Sequence, residues 1–353
     1  MHFKEASAQN HTQHMKGRER NVSLEILRLL CMLLIVVGHL AGKSGTPSST
    51  LTHLGSHSVN CFILISGYFL ISSKFKFERL LRIVFESIFY SFIISLIFFC
   101  FSSTSLQDLL KSAFPFAPTK YSWWFVNKYI AMILLSPFIN VLCTSLNKKS
   151  YKILLISLLS ISSILFSFFP FGALFCNGFS LLWFVTLYIT GGYLRLHYKE
   201  KKNSTYAAGI IAGLVIHNIA LCCKGVIDLG YNSLISYFLG ITTFLWFKDL
   251  KISGDTIPNI VRYLSPHVFA IYLIHTQHDM SRFIGKIFTK YEGCINSEVY
   301  LYLFAIAVII ASVFIDKGRT YLFNLSGIEK LTKRISAYFD NLYNDRASIK
   351  KVA

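Results

Sequence analysis

Charge is what this chain has least of. Only 15% of its 353 residues are Asp, Glu, Lys or Arg, and acidic groups are the scarcer kind, 17 against 35 Lys and Arg. Soluble domains carry about a quarter of their residues as charges, so a water-exposed fold is disfavoured. The eight cysteines include no CxxC pair and no metal-ligand spacing, which leaves no zinc or dithiol chemistry to expect, and no metal. Cys31, Cys61, Cys100, Cys143, Cys222 and Cys223 fall in or beside apolar runs as small hydrophobes. Cys176 and Cys294 fall in expected outer loops, where an oxidising compartment would permit pairing without requiring it. No Walker loop, dinucleotide fingerprint, internal repeat or low-complexity segment occurs, so ATP-driven and nicotinamide chemistry are unsupported. The polar residues 1–21 lack the apolar stretch and small-residue cleavage site of a secretory signal, so the first helix is itself the membrane address.

What the chain has in abundance is apolar sequence: 54% hydrophobic residues and a mean hydropathy of +0.52. A hydrocarbon core about 30 Å thick takes roughly 20 apolar residues per helix. Backbone groups in lipid must bond internally, so such runs are helices. Hydropathy places spans at 22–41, 57–73, 80–101, 122–143, 153–170, 178–197, 206–222, 231–248, 264–282 and 299–316. The expectation is an all-α, polytopic transmembrane bundle of about ten helices. Its parts are an N-terminal tail over 1–21, a membrane domain over 22–316 and a basic tail over 317–353.

The net charge of +18 would suggest nucleic acid for a soluble protein. Here the basic residues collect in alternate loops, which reports orientation and gives no reason to expect a nucleic-acid partner. One side receives Lys4, Lys16, Arg18 and Arg20, then Lys74, Lys76, Arg79 and Arg82, then Lys148, Lys149 and Lys152, then Arg195, Lys199, Lys201 and Lys202. The other side is poor, with Lys43, Lys111, Lys120 and Lys224; the loop holding Arg282, Lys286 and Lys290 is the exception. Positive-inside then puts both termini in the cytoplasm. The tail spaces Leu322, Leu325, Ile328, Leu331, Ile335 and Phe339 as an amphipathic helix, expected to lie on the anionic inner leaflet.

The first helix, NVSLEILRLLCMLLIVVGHL, carries Glu25, Arg28 and His39 inside an apolar span. An Arg at mid-helix costs roughly 2.5–3.5 kcal/mol on insertion scales, so such groups face a cavity or a partner. Eleven residues make three turns with about 20° of drift, which puts Arg28 and His39 on one face about 16 Å apart. Glu25, one turn earlier, can pair with Arg28. The plainer alternative has all three as anchors at the helix ends.

The second span reads NCFILISGYFLISS, and its Ser66, Gly67, Tyr68, Phe69 and Leu70 with the Arg28-x10-His39 spacing resemble the integral-membrane acyltransferase family three. The resemblance continues through the basic turn of Lys74, Lys76, Arg79 and Arg82, then WWFVNKYIAMILLSPFIN (123–140), LYITGGYLR (187–195) and SPHVFAIYLIH (265–275), in the family's order. Two departures stand out: Glu25 where an Asp is more usual, and Val84 where a Pro often follows the basic turn. The resemblance implies transfer of an acyl group, most often acetyl, to hydroxyls of surface polysaccharides.

A sugar hydroxyl is a poor nucleophile near neutrality, so the reaction needs a base of suitable pKa, and His39 is the one such group in the first helix. Transient acylation of His39 is the variant mechanism. Arg28 would hold a donor phosphate or carbonyl, with Glu25 orienting it. Acetyl-CoA is the expected donor, succinyl-CoA the variant, with phosphates at Arg79, Arg82, Lys74 and Lys76; any cytoplasmic loop would carry such residues in any case. Ser66, Gly67 and Tyr68 would border the slot, or serve as small-residue helix packing. Asn127, Lys128 and His275 are candidates for the acceptor, while Trp123, Trp124 and Tyr129 read equally as interfacial anchors. The expected partners are the lipid bilayer, acyl-CoA and a surface glycan or its lipid-linked precursor, with the chain in a bacterial cytoplasmic (inner) membrane. A polysaccharide exporter or lipid-linked-sugar flippase, which needs no base, is the competing class; an inactive scaffold is a third.

Overall fold

A computed structural model describes residues 21–43, 50–101, 103–164, 178–199, 201–222, 230–291 and 297–347. These residues are helical throughout, with no strand among them. Numbered in chain order, the helices are α1 (Val22–Ala41), α2 (Thr50–Leu70), α3 (Phe77–Cys100), α4 (Leu106–Ser112), α5 (Trp124–Ser145), α6 (Lys148–Leu159), α7 (Leu181–Leu196), α8 (Asn203–Cys222), α9 (Leu234–Lys248), α10 (Thr256–Leu264), α11 (Val268–Thr276), α12 (His278–Tyr291), α13 (Ser297–Leu325) and α14 (Ile328–Ala347). Several starts are written locally. The side chains of Asn21, Asn147, Ser180 and Ser233 each accept from a backbone N–H in the first turn that follows, satisfying a donor that the helix itself leaves unpaired.

Among the described residues, five helices have the length and apolarity to cross a bilayer: Val22–Ala41, Phe77–Cys100, Trp124–Ser145, Asn203–Cys222 and Glu298–Leu325. Three shorter apolar stretches accompany them, His57–Leu70, Leu181–Leu196 and Leu234–Lys248. The expected ninth span is not a single helix. It divides into α11 and α12 at Gln277, whose backbone leaves the helical region. At 1.5 Å per residue the nine residues of α11 reach only about 14 Å. Polar bonding explains the break: Gln277 Oε1 accepts from Met280 N at 2.9 Å, and its Nε2 donates to Ser95 Oγ at 2.9 Å, which in turn donates to Asp279 at 2.8 Å. The expected fifth span also changes character, α6 giving way to a π-helical turn over Ser160–Ile164. At the other end, α13 runs unbroken past residue 316, so the expected edge of the membrane domain falls inside a helix. The tail helix α14 docks on α3, with Phe339 stacked on Phe77 at 4.7 Å and Asp340 accepting from Phe77 N. Phe339 therefore faces protein, while Leu331 remains exposed. Cys176, Cys294 and the tail 1–20 lie outside the described residues.

Two buried clusters form the interior, and α1 belongs to both. Its first turns, Leu24, Leu27 and Cys31, join α2, α5, α7 and α9 through Ile63, Leu64, Trp183, Phe184 and Phe244. Its later turns, Met32, Val36, Val37 and Leu40, join α11, α12 and α13 through Ile271, Leu273, Phe288 and Ala305. The α2–α7 interface is tight. A Cβ built on Gly67 would overlap the carbonyl of Tyr188, and one on Gly191 the carbonyl of Leu64, the close backbone approach that small residues permit between membrane helices. Polar clamps lock this half: Tyr188 OH donates to Asn140 Oδ1 at 2.8 Å, Asn140 Nδ2 to the Leu70 carbonyl at 2.8 Å, and Tyr151 OH to the Ile189 carbonyl at 2.9 Å.

Gly67→Ala should therefore destabilise the protein by about 1–3 kcal/mol through overpacking, read as a lower thermal midpoint in detergent. The control Gly318→Ala, where an added Cβ meets nothing within 4 Å, should leave the midpoint unchanged or slightly raised.

Candidate active site

The face of α1 that carries Arg28, Met32, Ile35 and His39, spaced by three and four residues, opens on a cavity of about 580 Å³. Arg28 and His39 thus border the same space, three turns apart, and neither is spent on anchoring a helix end alone. Glu25 pairs with Arg28, Oε2 to Nη1 at 3.0 Å. The opposing wall comes from α2, where Val59, Phe62, Ser66 and Phe69 repeat on one face. Arg79, Arg82, Ile83 and Glu86 of α3 close the Arg28 end, again at helical spacing. Trp124, Phe125, Tyr129 and Ile133 of α5, together with Tyr231, Phe269 and Tyr272, complete the lining. Tyr231 is held there by Asn60, whose Nδ2 donates to its carbonyl at 2.8 Å while Oδ1 accepts from Trp183 Nε1 at 3.0 Å.

His39 does not stand alone. Its Nδ1 lies 2.9 Å from Nε2 of His275, and Nδ1 of His275 lies 2.6 Å from the Ile271 carbonyl. A carbonyl can only accept, so His275 Nδ1 carries a proton. With both rings neutral, His275 Nε2 then accepts from His39 Nδ1–H. The lone pair left on His39 sits on Nε2, and a neutral imidazole with its tautomer held by a second group is the arrangement a general base requires. One residue further on, Thr276 Oγ1 accepts from Trp123 Nε1 at 3.0 Å, tying α11 to the start of α5.

The structure separates the other candidates. Arg79, Arg82 and Ser66 line the cavity; Ser66 Oγ lies 3.0 Å from Tyr129 OH. Gly67 and Tyr68 do not line it, because one and two positions beyond Ser66 rotate them about 100° and 200° away. Gly67 meets α7, and Tyr68 OH accepts from Arg195 Nη1 at 3.1 Å. Asn127 donates to Ser122 Oγ at 2.9 Å, and neither it nor Lys128 is on the lining face of α5. Lys74 and Lys76 lie off the lining as well. His275 touches His39 instead of the cavity.

Hydropathy passed over a group of charges at the Arg28 end. Arg319 Nε donates to Asp316 Oδ1 at 2.6 Å and its Nη1 lies 3.3 Å from Glu86 Oε1. Tyr90 OH donates to Asp316 Oδ1 at 2.6 Å, and His267 Nδ1 lies 2.6 Å from Asp316 Oδ2. A second cavity of about 200 Å³ adjoins this network and shares Arg82, Glu86 and Pro266 with the first. The signal was present: Glu86 sits inside an apolar run and Asp316 closes another, and an ionisable group in such a place seeks a partner. Among the described residues no group of three or more His, Cys, Asp or Glu is placed to hold a metal ion.

An all-helical bundle with membrane-length apolar helices, a guanidinium cluster at one end of a buried passage and a shielded imidazole further along it defines a multi-pass membrane protein with an enzyme-like site. Residues 21–316 match the acyltransferase 3 family model, described as an acyltransferase domain. The chain belongs to that family, and it is accordingly a membrane acyltransferase. No curated protein and no solved structure matched it.

Arg319→Met would leave the buried carboxylates of Glu86 and Asp316 uncompensated. The expected loss is about 3–5 kcal/mol, seen as a fall in thermal midpoint, whereas Lys128→Met, away from the cavity, should leave the midpoint unchanged.

Proposed function

We propose that this protein is a membrane O-acyltransferase that moves an acetyl group from cytoplasmic acetyl-CoA to a hydroxyl of a cell-surface polysaccharide or its lipid-linked precursor. The observation that carries the reading is that Arg28 and His39 open on one cavity, with Nε2 of His39 left as the basic nitrogen. Arg28, Arg79 and Arg82 collect at one end of it, where charge-assisted hydrogen bonds suit the phosphates of a coenzyme A. The alternating Lys and Arg loops favour that end as the cytoplasmic one, with both termini on the same side and ten crossings of a bacterial inner membrane. An extended pantetheine arm can bridge the distance from the arginines to His39.

In the step itself, His39 Nε2 takes the proton of the acceptor hydroxyl as its oxygen attacks the thioester carbonyl. The new C–O bond forms, the C–S bond breaks, and the leaving thiolate recovers the proton. His275 acts through His39, holding the tautomer in which Nε2 is free. Ser66 and Tyr129 offer hydroxyls to the acceptor. A polysaccharide exporter or lipid-linked-sugar flippase would need the passage but no base, and would move glycan without turning over a thioester.

Purified protein in nanodiscs, given labelled acetyl-CoA and glycan extracted from the source cells, should transfer label. His39→Ala should lower the rate by a factor on the order of 10³, while His275→Ala lowers kcat with KM for the donor unchanged. Transfer by His39→Ala at the wild-type rate would refute the assignment, and glycan movement without thioester turnover would favour the transporter.

A further inference from the structure

His275 reaches His39 from a helix too short to place itself. The nine residues of α11 close few backbone hydrogen bonds of their own, so its position is set by what it is tied to. Three consecutive polar side chains stand at its end, and each meets a different helix. His275 Nε2 lies 2.9 Å from His39 Nδ1 of α1. Gln277 Nε2 donates to Ser95 Oγ of α3 at 2.9 Å. Between them, Thr276 Oγ1 accepts from the indole Nε1 of Trp123, at the start of α5, at 3.0 Å. An indole N–H can only donate, so the Thr276 hydroxyl keeps its own hydrogen for the Tyr272 carbonyl, 2.5 Å away. His275 and Thr276 thus rest on the consecutive carbonyls of Ile271 and Tyr272.

Trp123 is spent on that bond. A tryptophan that anchors a helix at the membrane interface turns its N–H toward water or headgroups. Trp123 is instead 4% exposed, in the buried cluster that joins Val36, Val37 and Leu40 of α1 to Ile271 and Ile274 of α11. Its neighbour Trp124 lines the cavity, and Trp123 does not. Apolar burial is non-directional, whereas a hydrogen bond weakens steeply once the donor swings off line. The indole bond therefore adds a directional restraint one residue from His275.

We propose that Trp123 is a positioning residue for acyl transfer: through Thr276 it holds His275 where its Nε2 meets His39, and so keeps Nε2 of His39 as the basic nitrogen. This rests on the reading that His39 is the base of a transfer from acyl-CoA. Without the indole N–H the end of α11 shifts, and a misplacement of about 1 Å at a reacting group can cost on the order of 10² in rate.

The test uses inside-out membrane vesicles from source cells in which each full-length variant replaces the native chain, so that the natural acceptor is present; vesicles lacking the chain are the blank. Transfer from labelled acetyl-CoA is measured per amount of folded protein. Trp123→Phe keeps an aromatic ring and loses the donor, and Thr276→Val keeps the shape and loses the acceptor. Each should lower kcat by about tenfold to a hundredfold with KM for acetyl-CoA unchanged. Thr276→Ser, which keeps the oxygen, should stay within about threefold of wild type. In a His275→Ala background neither Trp123→Phe nor Thr276→Val should cost anything further, because a residue that acts through another loses its effect once that other is gone. A wild-type kcat in Thr276→Val would overturn the inference. So would an equal loss in the His275→Ala background, which would make the bond a general brace of the fold. Either substitution decides the matter if the other does not fold. Full transfer by His275→Ala, or none by wild type above the blank, would instead overturn the reading of the site, and the inference with it.

Discussion

Hydrocarbon offers no partner to a charge or a peptide group, and the arrangement of this protein follows from where its few ionisable side chains escape that penalty. Glu25 and Arg28 answer one another at the edge of a cavity. Arg319 sits between Asp316 and Glu86, and Asp316 is further bonded by Tyr90 and His267. Asp279, buried beside the break between α11 and α12, accepts from Ser95. The Arg319 and Asp279 groups each join two or more helices, so the polar minority helps set which apolar surfaces meet.

Helix α1 is where these constraints converge. One part of its surface packs into the cluster built on α2 and α7, another into the cluster built on α11 and α13, and the face between them borders the passage. A helix held on both flanks has little freedom to rotate, so Arg28 and His39 keep their common outlook. His39 gains a second constraint from His275, which arrives on the short helix α11 and is oriented by the carbonyl of Ile271. The break at Gln277 matters here: it ends α11 just after His275 and gives Gln277 the role of capping α12.

Much of this was open to reading from residues alone. An all-helical chain with membrane-length apolar helices follows from hydropathy, and the common face of Arg28 and His39 follows from 3.6-residue periodicity. The pairing of Glu25 with Arg28 needs only their spacing. Arg79 and Arg82 reach the cavity because they are one turn apart on α3, whereas Lys74 and Lys76 precede the helix, where no periodicity could rank them. Ser66, Gly67 and Tyr68 form one motif by letters, yet consecutive positions on a helix point 100° apart and only Ser66 borders the passage. Asn127 and Lys128 lie off the lining for the same reason. Glu86, inside an apolar run, could have been noticed.

Local periodicity and the cost of polarity in lipid, both legible in the residues, account for the helices, their apolar character, and the shared face of Arg28 and His39. Only the tertiary arrangement decided the partners of polar groups that stand far apart in the chain. His39 and His275 are 236 positions apart, and Glu86 and Arg319 meet across a similar gap. No rule of spacing reaches so far, because the distance between two helices depends on how the residues of all their neighbours interlock.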